Sequence, residues 1–258
     1  MAELRVGFLG DGHITSVLRA VVHDSRPYRV VGSFGRHSAL PDPADVDVIV
    51  EAATQQAVRE RVPGLLDAGI DVILLSVGAL ADAAIRERLL GSTTGRLIVC
   101  TGAIGGLDQV RALRAAGPLS EVSIESRKLP ASLIQPWMPE ALKTDLRSRT
   151  TELVLADGPA GDVAQRFPAS ANVAASLALA ADAWDFATAR IVADPDAAQT
   201  RHEIRAVGAL GEVRAVVTNT PSADRPRSSA VVAWAALRSL DDYARLRGFE
   251  SPGGSAFL

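Results

Sequence analysis

A single cysteine, Cys100, leaves this chain of 258 residues without an internal disulfide, and one lone thiol suits a reduced, cytoplasmic setting. Histidine is also sparse: His13, His23, His37 and His202 are scattered, and the cysteine has no partner at ligand spacing, so no metal site is expected. Charge of one sign is lacking, with 27 lysines and arginines against 30 aspartates and glutamates and a formal charge of -3. That balance gives no electrostatic reason to expect nucleic acid or an anionic membrane surface as partner. The longest apolar stretches, 173–181 and 230–237, fall well short of the ~20 residues of a membrane-spanning helix. The first residues show neither a basic start nor an apolar signal core. What the chain does have is 48% hydrophobic residues beside 22% charged ones, enough to bury the core of one or two globular domains.

The first element is the most informative. Leu4-Arg5-Val6-Gly7-Phe8-Leu9 reads as a strand that breaks into Gly10-Asp11-Gly12-His13-Ile14, followed by Val17, Leu18, Val21 and Val22 at helical spacing. Two glycines between a strand and a helix let the backbone turn tightly and approach a pyrophosphate, at which the helix aims its N–H groups and positive dipole end. Gly10, Gly12, His13 and Ile14 are therefore candidate cofactor contacts. Thr15 stands where a third glycine would allow closer packing of helix on strand. His23 falls late in the first helix, where the dipole favours a cation, and carries no assigned chemistry.

Short β-branched runs at 4–9, 29–34, 46–51, 71–76 and 96–101 alternate with helical segments at 55–68 and 79–90, the rhythm of a parallel sheet wound with helices. After Gly117-Pro118 the pattern changes to strand candidates at 121–127, 150–156, 186–193 and 202–218, with one strong helix beginning near Asn172. The expected fold is α/β: a Rossmann-type doubly wound parallel sheet over 1–117 and a second, mixed α+β substrate domain over 118–226. A C-terminal helix within 227–258 is expected to pack back on the first domain.

The second strand ends without the acid that accepts hydrogen bonds from the adenosine ribose of NAD. Gly35 stands near that position, followed by Arg36 and His37, whose groups suit a 2′-phosphate, so NADP is slightly preferred over NAD. Ligands of open α/β sheets lie beyond the carboxyl ends of the strands. There the chain offers small residues, Ala52-Ala53-Thr54, Ser76-Val77-Gly78-Ala79 and Thr101-Gly102-Ala103, so Ala53, Ser76, Thr101 and Ala103 are candidates for the nicotinamide half.

Three longer segments, taken together, point to a family. Leu97-Ile98-Val99-Cys100-Thr101-Gly102-Ala103-Ile104-Gly105-Gly106-Leu107-Asp108, Phe167-Pro168-Ala169-Ser170-Ala171-Asn172-Val173-Ala174-Ala175, and Asp194-Pro195 ahead of His202-Glu203-Ile204 resemble the L-aspartate dehydrogenases. Arg127-Lys128 and Asn219-Thr220-Pro221 extend the resemblance nearly end to end. It implies an oxidoreductase, a homodimer in that family, that converts L-aspartate to iminosuccinate with NAD or NADP; the imine then hydrolyses to oxaloacetate and ammonia or enters quinolinate synthesis. It also implies Ala103 and Asn172 at the cofactor and His202 as the catalytic residue. Two positions depart from the family pattern, Thr200 and Ser170, each a hydroxyl where an asparagine is common. They leave open a related dehydrogenase or imine reductase for another amino acid. A third possibility, from a different class, is a dinucleotide-binding regulatory protein without turnover.

Around His202 the residues alternate, so a strand places His202 with Ile204 and Ala206 on one face and Arg201, Glu203 and Arg205 on the other. An imidazole can manage protons near neutral pH on an amine or on water. Asp194 or Asp196 is the expected orienting partner. Asn172 is placed to cap the helix that follows it while reaching the cofactor. A dicarboxylate needs cations, for which Arg127 and Lys128 are nearest; only one of them can share a strand face with the site, and Lys128 is preferred, with Thr200 beside it. Cys100 is expected to be a buried small apolar group rather than a nucleophile.

Overall fold

Apolar runs of four to seven residues separated by glycine and polar turns need helices on both faces to bury them. The computed structural model, which describes residues 3–22, 28–168, 170–222 and 229–249, shows how this is done. Strand β1 (Leu4–Leu9) leads through the glycine turn into α1 (His13–Val21); β2 (Tyr28–Phe34), β3 (Val48–Glu51), α2 (Gln55–Asp67), β4 (Asp71–Leu74), α3 (Ala83–Leu90) and β5 (Leu97–Val99) follow. The five strands pair in parallel in the order β2-β1-β3-β4-β5. Every residue of the central strand β3 is buried. The order reverses at β1, which lies between β2 and β3, and such a reversal is where a doubly wound sheet takes its ligand.

The remaining chain forms α4 (Leu107–Ala116), β6 (Leu119–Lys128), α5 (Glu140–Ser148), β7 (Leu153–Pro159), α6 (Ala160–Arg166), α7 (Asn172–Ala181), β8 (Thr188–Ala193), β9 (Thr200–Gly208) and β10 (Gly211–Asn219). Its sheet has the order β10-β9-β6-β8-β7 and is antiparallel except for the β6/β8 pair. Along β6 and β9 burial alternates strictly from Val122 and Thr200 onward, giving one inward face and one charged face. Arg205 pairs with Glu121 and Glu212, and Arg214 with Glu203, on the charged side.

The last helix, α8 (Val231–Leu246), places Ala236, Leu237, Leu240, Tyr243 and Ala244 in one buried cluster with Leu4, Val6, Phe8, Val48, Val50 and Ile73 of the parallel sheet. Polar ties fix it there: the Tyr243 hydroxyl donates to Asp71 at 2.6 Å, Arg247 donates to the same carboxylate at 3.0 Å, and Tyr28 donates to Asp241 at 3.0 Å. The chain accordingly divides into Met1–Gly102 with Val232–Leu258, and Ala103–Val231. The division falls before α4 rather than at 117, because α4 packs on α7, β9 and β10.

Other differences from the sequence reading have local causes. The helix expected over 79–90 is interrupted: Val77–Ala81 forms a 3₁₀ turn, and Asp82 accepts the Ala84 and Ile85 N–H groups to start α3 afresh. The long strand expected over 202–218 is a hairpin, β9 to β10, that turns at Ala209-Leu210 into Gly211, whose φ of +142° is open to glycine. The strand expected at 150–156 lies at Leu153–Pro159. His23 lies outside the described residues, as does residue 228 at the start of the expected last helix.

Candidate active site

In the first unit, the turn after β1 has the geometry of a phosphate cradle. Gly10 adopts φ +106°, and a Cβ on it would stand 2.9 Å from the Ala52 carbonyl and 3.0 Å from Ala53, so a side chain is excluded twice over. Gly12 caps α1 with no side-chain hydrogen bond, and a Cβ there would meet nothing nearer than 3.9 Å. The helix therefore starts at His13 and Ile14 behind an open backbone surface, which fits a pyrophosphate. Thr15 does not loosen the turn: its hydroxyl donates to the Gly10 carbonyl at 2.9 Å and the residue is buried.

The loop after β2 carries Arg36 and His37, both exposed. A second guanidinium, unremarked in the sequence, braces it: Arg61 of α2 donates to the carbonyls of Gly35, Ser38 (2.9 Å) and Ala39 (3.3 Å). Gly35 lies close to Asp11, whose carboxylate would stand 2.7 Å from a Cβ at that position. Beyond β3 and β4, Ala53 and Ser76 are joined by Glu51, whose carboxylate accepts from both. Glu51, the last residue of the strand expected at 46–51, has no role assigned from the sequence. Thr101 is exposed just after β5, and Cys100 is buried, with burial pushing its thiol above the ordinary value.

In the second unit the inward face of β6, β9 and β10 collects the polar groups. Ser126 and Val217 stand opposite His202 in the ladders, and Asn219 stands opposite Thr200. His202 is 1% exposed, and its Nδ1 lies 2.8 Å from the Ser126 hydroxyl. Lys128 is buried two residues along the same strand face. Burial alone lowers the Lys128 ammonium to about 8. Burial first, and then the charge of Lys128, lowers the His202 imidazole to about 3, so the ring is neutral throughout the physiological range. Thr200 is buried beside this group, and among the described residues the buried Ser170 hydroxyl has no hydrogen-bond partner.

Two expectations are corrected here, on the partner of His202 and on Asn172. The orienting partner of His202 is Ser126, not Asp194 or Asp196; Asp194 lies 3.5 Å from Arg127. Arg127 points to the charged face, bonded to Glu125 at 2.7 Å and to Glu152, which leaves Lys128 as the cation on the His202 face. Asn172 does not cap α7: Ala171 is the N-cap, with no side-chain bond, so the Asn172 side chain leaves from the first helical residue. Asn219, not singled out as a site residue, donates to the carbonyl of Ala103 at 2.8 Å and so fixes the backbone at that position. Ser126 lies two residues before Lys128 on the same alternating strand, which puts it on the Lys128 face but does not by itself pair it with His202.

The chain is similar to known proteins. Residues 108–243 match the family described as aspartate dehydrogenase, C-terminal, and residues 5–94 match the NAD binding domain of homoserine dehydrogenase. The L-aspartate dehydrogenase of Methanosarcina barkeri is 38% identical over 199 residues, 76% of this chain and 73% of the relative. That of Methanothermobacter thermautotrophicus is 34% identical over 263 residues, 93% of this chain and 96% of the relative. The crystal structure of aspartate dehydrogenase from Thermotoga maritima shares the fold, with a TM-score of 0.73 at 23% identity over 98% of this chain and 100% of that one. With more than half its length matched by the family model and its relatives matched across most of theirs, the chain belongs to the L-aspartate dehydrogenase family.

Proposed function

We propose that this protein is an NAD(P)-dependent dehydrogenase that oxidises L-aspartate to iminosuccinate, which hydrolyses to oxaloacetate and ammonia. The observation that carries the chemistry is the buried set of His202, Ser126 and Lys128 on one sheet face. A neutral amine must be formed before the α-carbon can give up hydride. With Nδ1–H donated to Ser126, the imidazole presents the Nε2 lone pair as the base that receives the ammonium proton. Lys128 supplies the positive charge for a substrate carboxylate, and Thr200 and Ser170 supply hydroxyls. A carboxylate bound at Lys128 cancels the charge that depresses His202, so substrate binding itself makes the imidazole a better base. The same ring can then pass the proton on and manage water at the imine carbon.

The residues suited to hold the dinucleotide are Gly10, Gly12, His13 and Ile14 at the pyrophosphate, and Ala53, Ser76, Thr101, Ala103 and Asn172 for its nicotinamide half. Once bound, that cofactor supplies the acceptor for the hydride. NADP is slightly preferred on the strength of Arg36 and His37. The Asp11 carboxylate beside Gly35 is a ready acceptor for ribose hydroxyls and supports use of NAD as well. Arg36→Ala is expected to raise the dissociation constant for NADP roughly 10-fold or more and that for NAD less than about 2-fold, read by quenching of protein fluorescence. Equal effects on the two would remove the 2′-phosphate assignment. We expect a cytoplasmic homodimer, from the lone cysteine and the habit of the family. Turnover is tested with L-aspartate, with other amino acids, and with oxaloacetate plus ammonia: oxidation of aspartate in preference to other amino acids supports the reading, turnover confined to another amino acid replaces the substrate, and dinucleotide binding without turnover on any of them replaces the enzyme.

A further inference from the structure

Glu51 ends the central strand of the parallel sheet and is completely buried. Its carboxylate has four hydrogen-bond donors. Oε1 accepts from the Ala53 N–H and the Ser76 hydroxyl, both at 2.8 Å, and Oε2 accepts from the Leu75 N–H at 3.1 Å and the Ser76 N–H at 2.8 Å. All four donors are neutral, and burial and these hydrogen bonds are the leading influences on the carboxyl. Three of the donors are backbone N–H groups that cannot take a proton, and only the Ser76 hydroxyl could turn round to accept one, so the arrangement favours the ionised carboxylate. Burial raises the carboxyl above its ordinary range and the hydrogen bonds from Ser76, Ala53 and Leu75 act against it, so the charge, once present, is held by neutral donors in a desolvated place. Buried charges of this kind are normally paired.

The missing counter-charge has a natural source. Glu51 sits at the carboxyl ends of the strands, the side on which an open parallel sheet receives its ligand. A nicotinamide ring is cationic when oxidised and neutral when reduced. Resting on the reading that the chain binds such a dinucleotide, we propose that Glu51 sets the redox preference of the site: its uncompensated carboxylate favours the oxidised, cationic form over the reduced one. The site is then biased toward loading the oxidised cofactor and releasing the reduced one, which suits the oxidative direction of the reaction. A carboxylate that served only to staple the Ala53 and Ser76 loops would strengthen binding of both forms alike.

Glu51→Gln separates the two roles. An amide can keep its oxygen toward Leu75 and Ser76 N–H and donate to the Ser76 hydroxyl, losing only the Ala53 bond while removing the charge. Dissociation constants for the oxidised dinucleotide, the reduced dinucleotide and ADP-ribose are measured by titration calorimetry at mildly alkaline pH. The variant is expected to shift the ratio of oxidised to reduced dissociation constants by roughly 10-fold toward the reduced form, with ADP-ribose, which lacks the ring, changed less than about 2-fold. A ratio unchanged within about 2-fold, or equal weakening of all three ligands, overturns the proposal. Independently of any variant, the wild-type protein must bind the oxidised form at least as tightly as the reduced; a preference for the reduced form beyond about 2-fold overturns it as well. Failure of the wild type to bind either form would overturn the cofactor reading itself.

Discussion

His202→Ala lowers kcat for aspartate oxidation by roughly 100- to 10,000-fold, the range that a positioned general base contributes, while dinucleotide affinity stays within about 2-fold. The split follows from position: His202 lies on the β6/β9 face with Ser126 and Lys128, whereas the glycine turn belongs to the other unit. Its electrostatics also set the pH profile. Because the imidazole is held at about 3 in the free protein, kcat/KM should show no acid limb at the ordinary histidine value near 6.5. The same depression costs stability on acidification. The unfolded chain takes up a proton near 6.5 and the folded one only near 3, so the contribution of this group to stability falls as pH drops through that window. Parallel measurement of initial rates and of dinucleotide binding by fluorescence checks the first result, and an unaffected kcat would remove His202 from the mechanism.

Lys128→Met should weaken the binding of a dicarboxylate roughly 10- to 100-fold and at the same time stabilise the protein. The ammonium is buried with its pKa lowered to about 8 from 10.5, so below pH 8 the folded state carries a charge that the unfolded state carries more comfortably. That difference amounts to on the order of 3 kcal/mol at neutral pH, and the wild type recovers it as pH rises from 8 toward 10.5. The functional counterpart has the opposite sign. Succinate, a dicarboxylate with no amine to titrate, should inhibit the wild type well below pH 8 and progressively less above it, and the variant should lose both the affinity and the pH dependence. Inhibition constants across pH, with thermal melts at neutral pH, read both halves. Unchanged succinate affinity in a more stable variant would leave Lys128 as a buried charge without a binding role.

The parallel sheet was legible because its strands are apolar on both faces and each ends at a glycine or small-residue turn; β1 was read at 4–9 and occupies Leu4–Leu9. The β9/β10 hairpin was not, since Val207-Gly208-Ala209-Leu210-Gly211 keeps apolar character through the turn and nothing polar marks the reversal. The face of His202 could be read from the alternation of 201 to 206, and so could the exclusion of either Arg127 or Lys128 from that face. Its partner could not. Ser126 is 76 residues away in the chain, and only the antiparallel register of β6 on β9 sets the two opposite each other. Glu51 was missed for a related reason: its donors come from two loops, and three of them are backbone groups that no sequence pattern displays.

On the proposed function, L-aspartate gives up its α-hydrogen at a site where a neutral imidazole and a buried ammonium stand together. A single-turnover experiment tests it most directly, mixing L-aspartate with the wild-type protein already loaded with oxidised dinucleotide and following the absorbance of the reduced nicotinamide. Formation of the reduced form, slower with aspartate deuterated at the α-carbon, is the predicted result. Absence of reduction by aspartate, with the dinucleotide demonstrably bound, would contradict it.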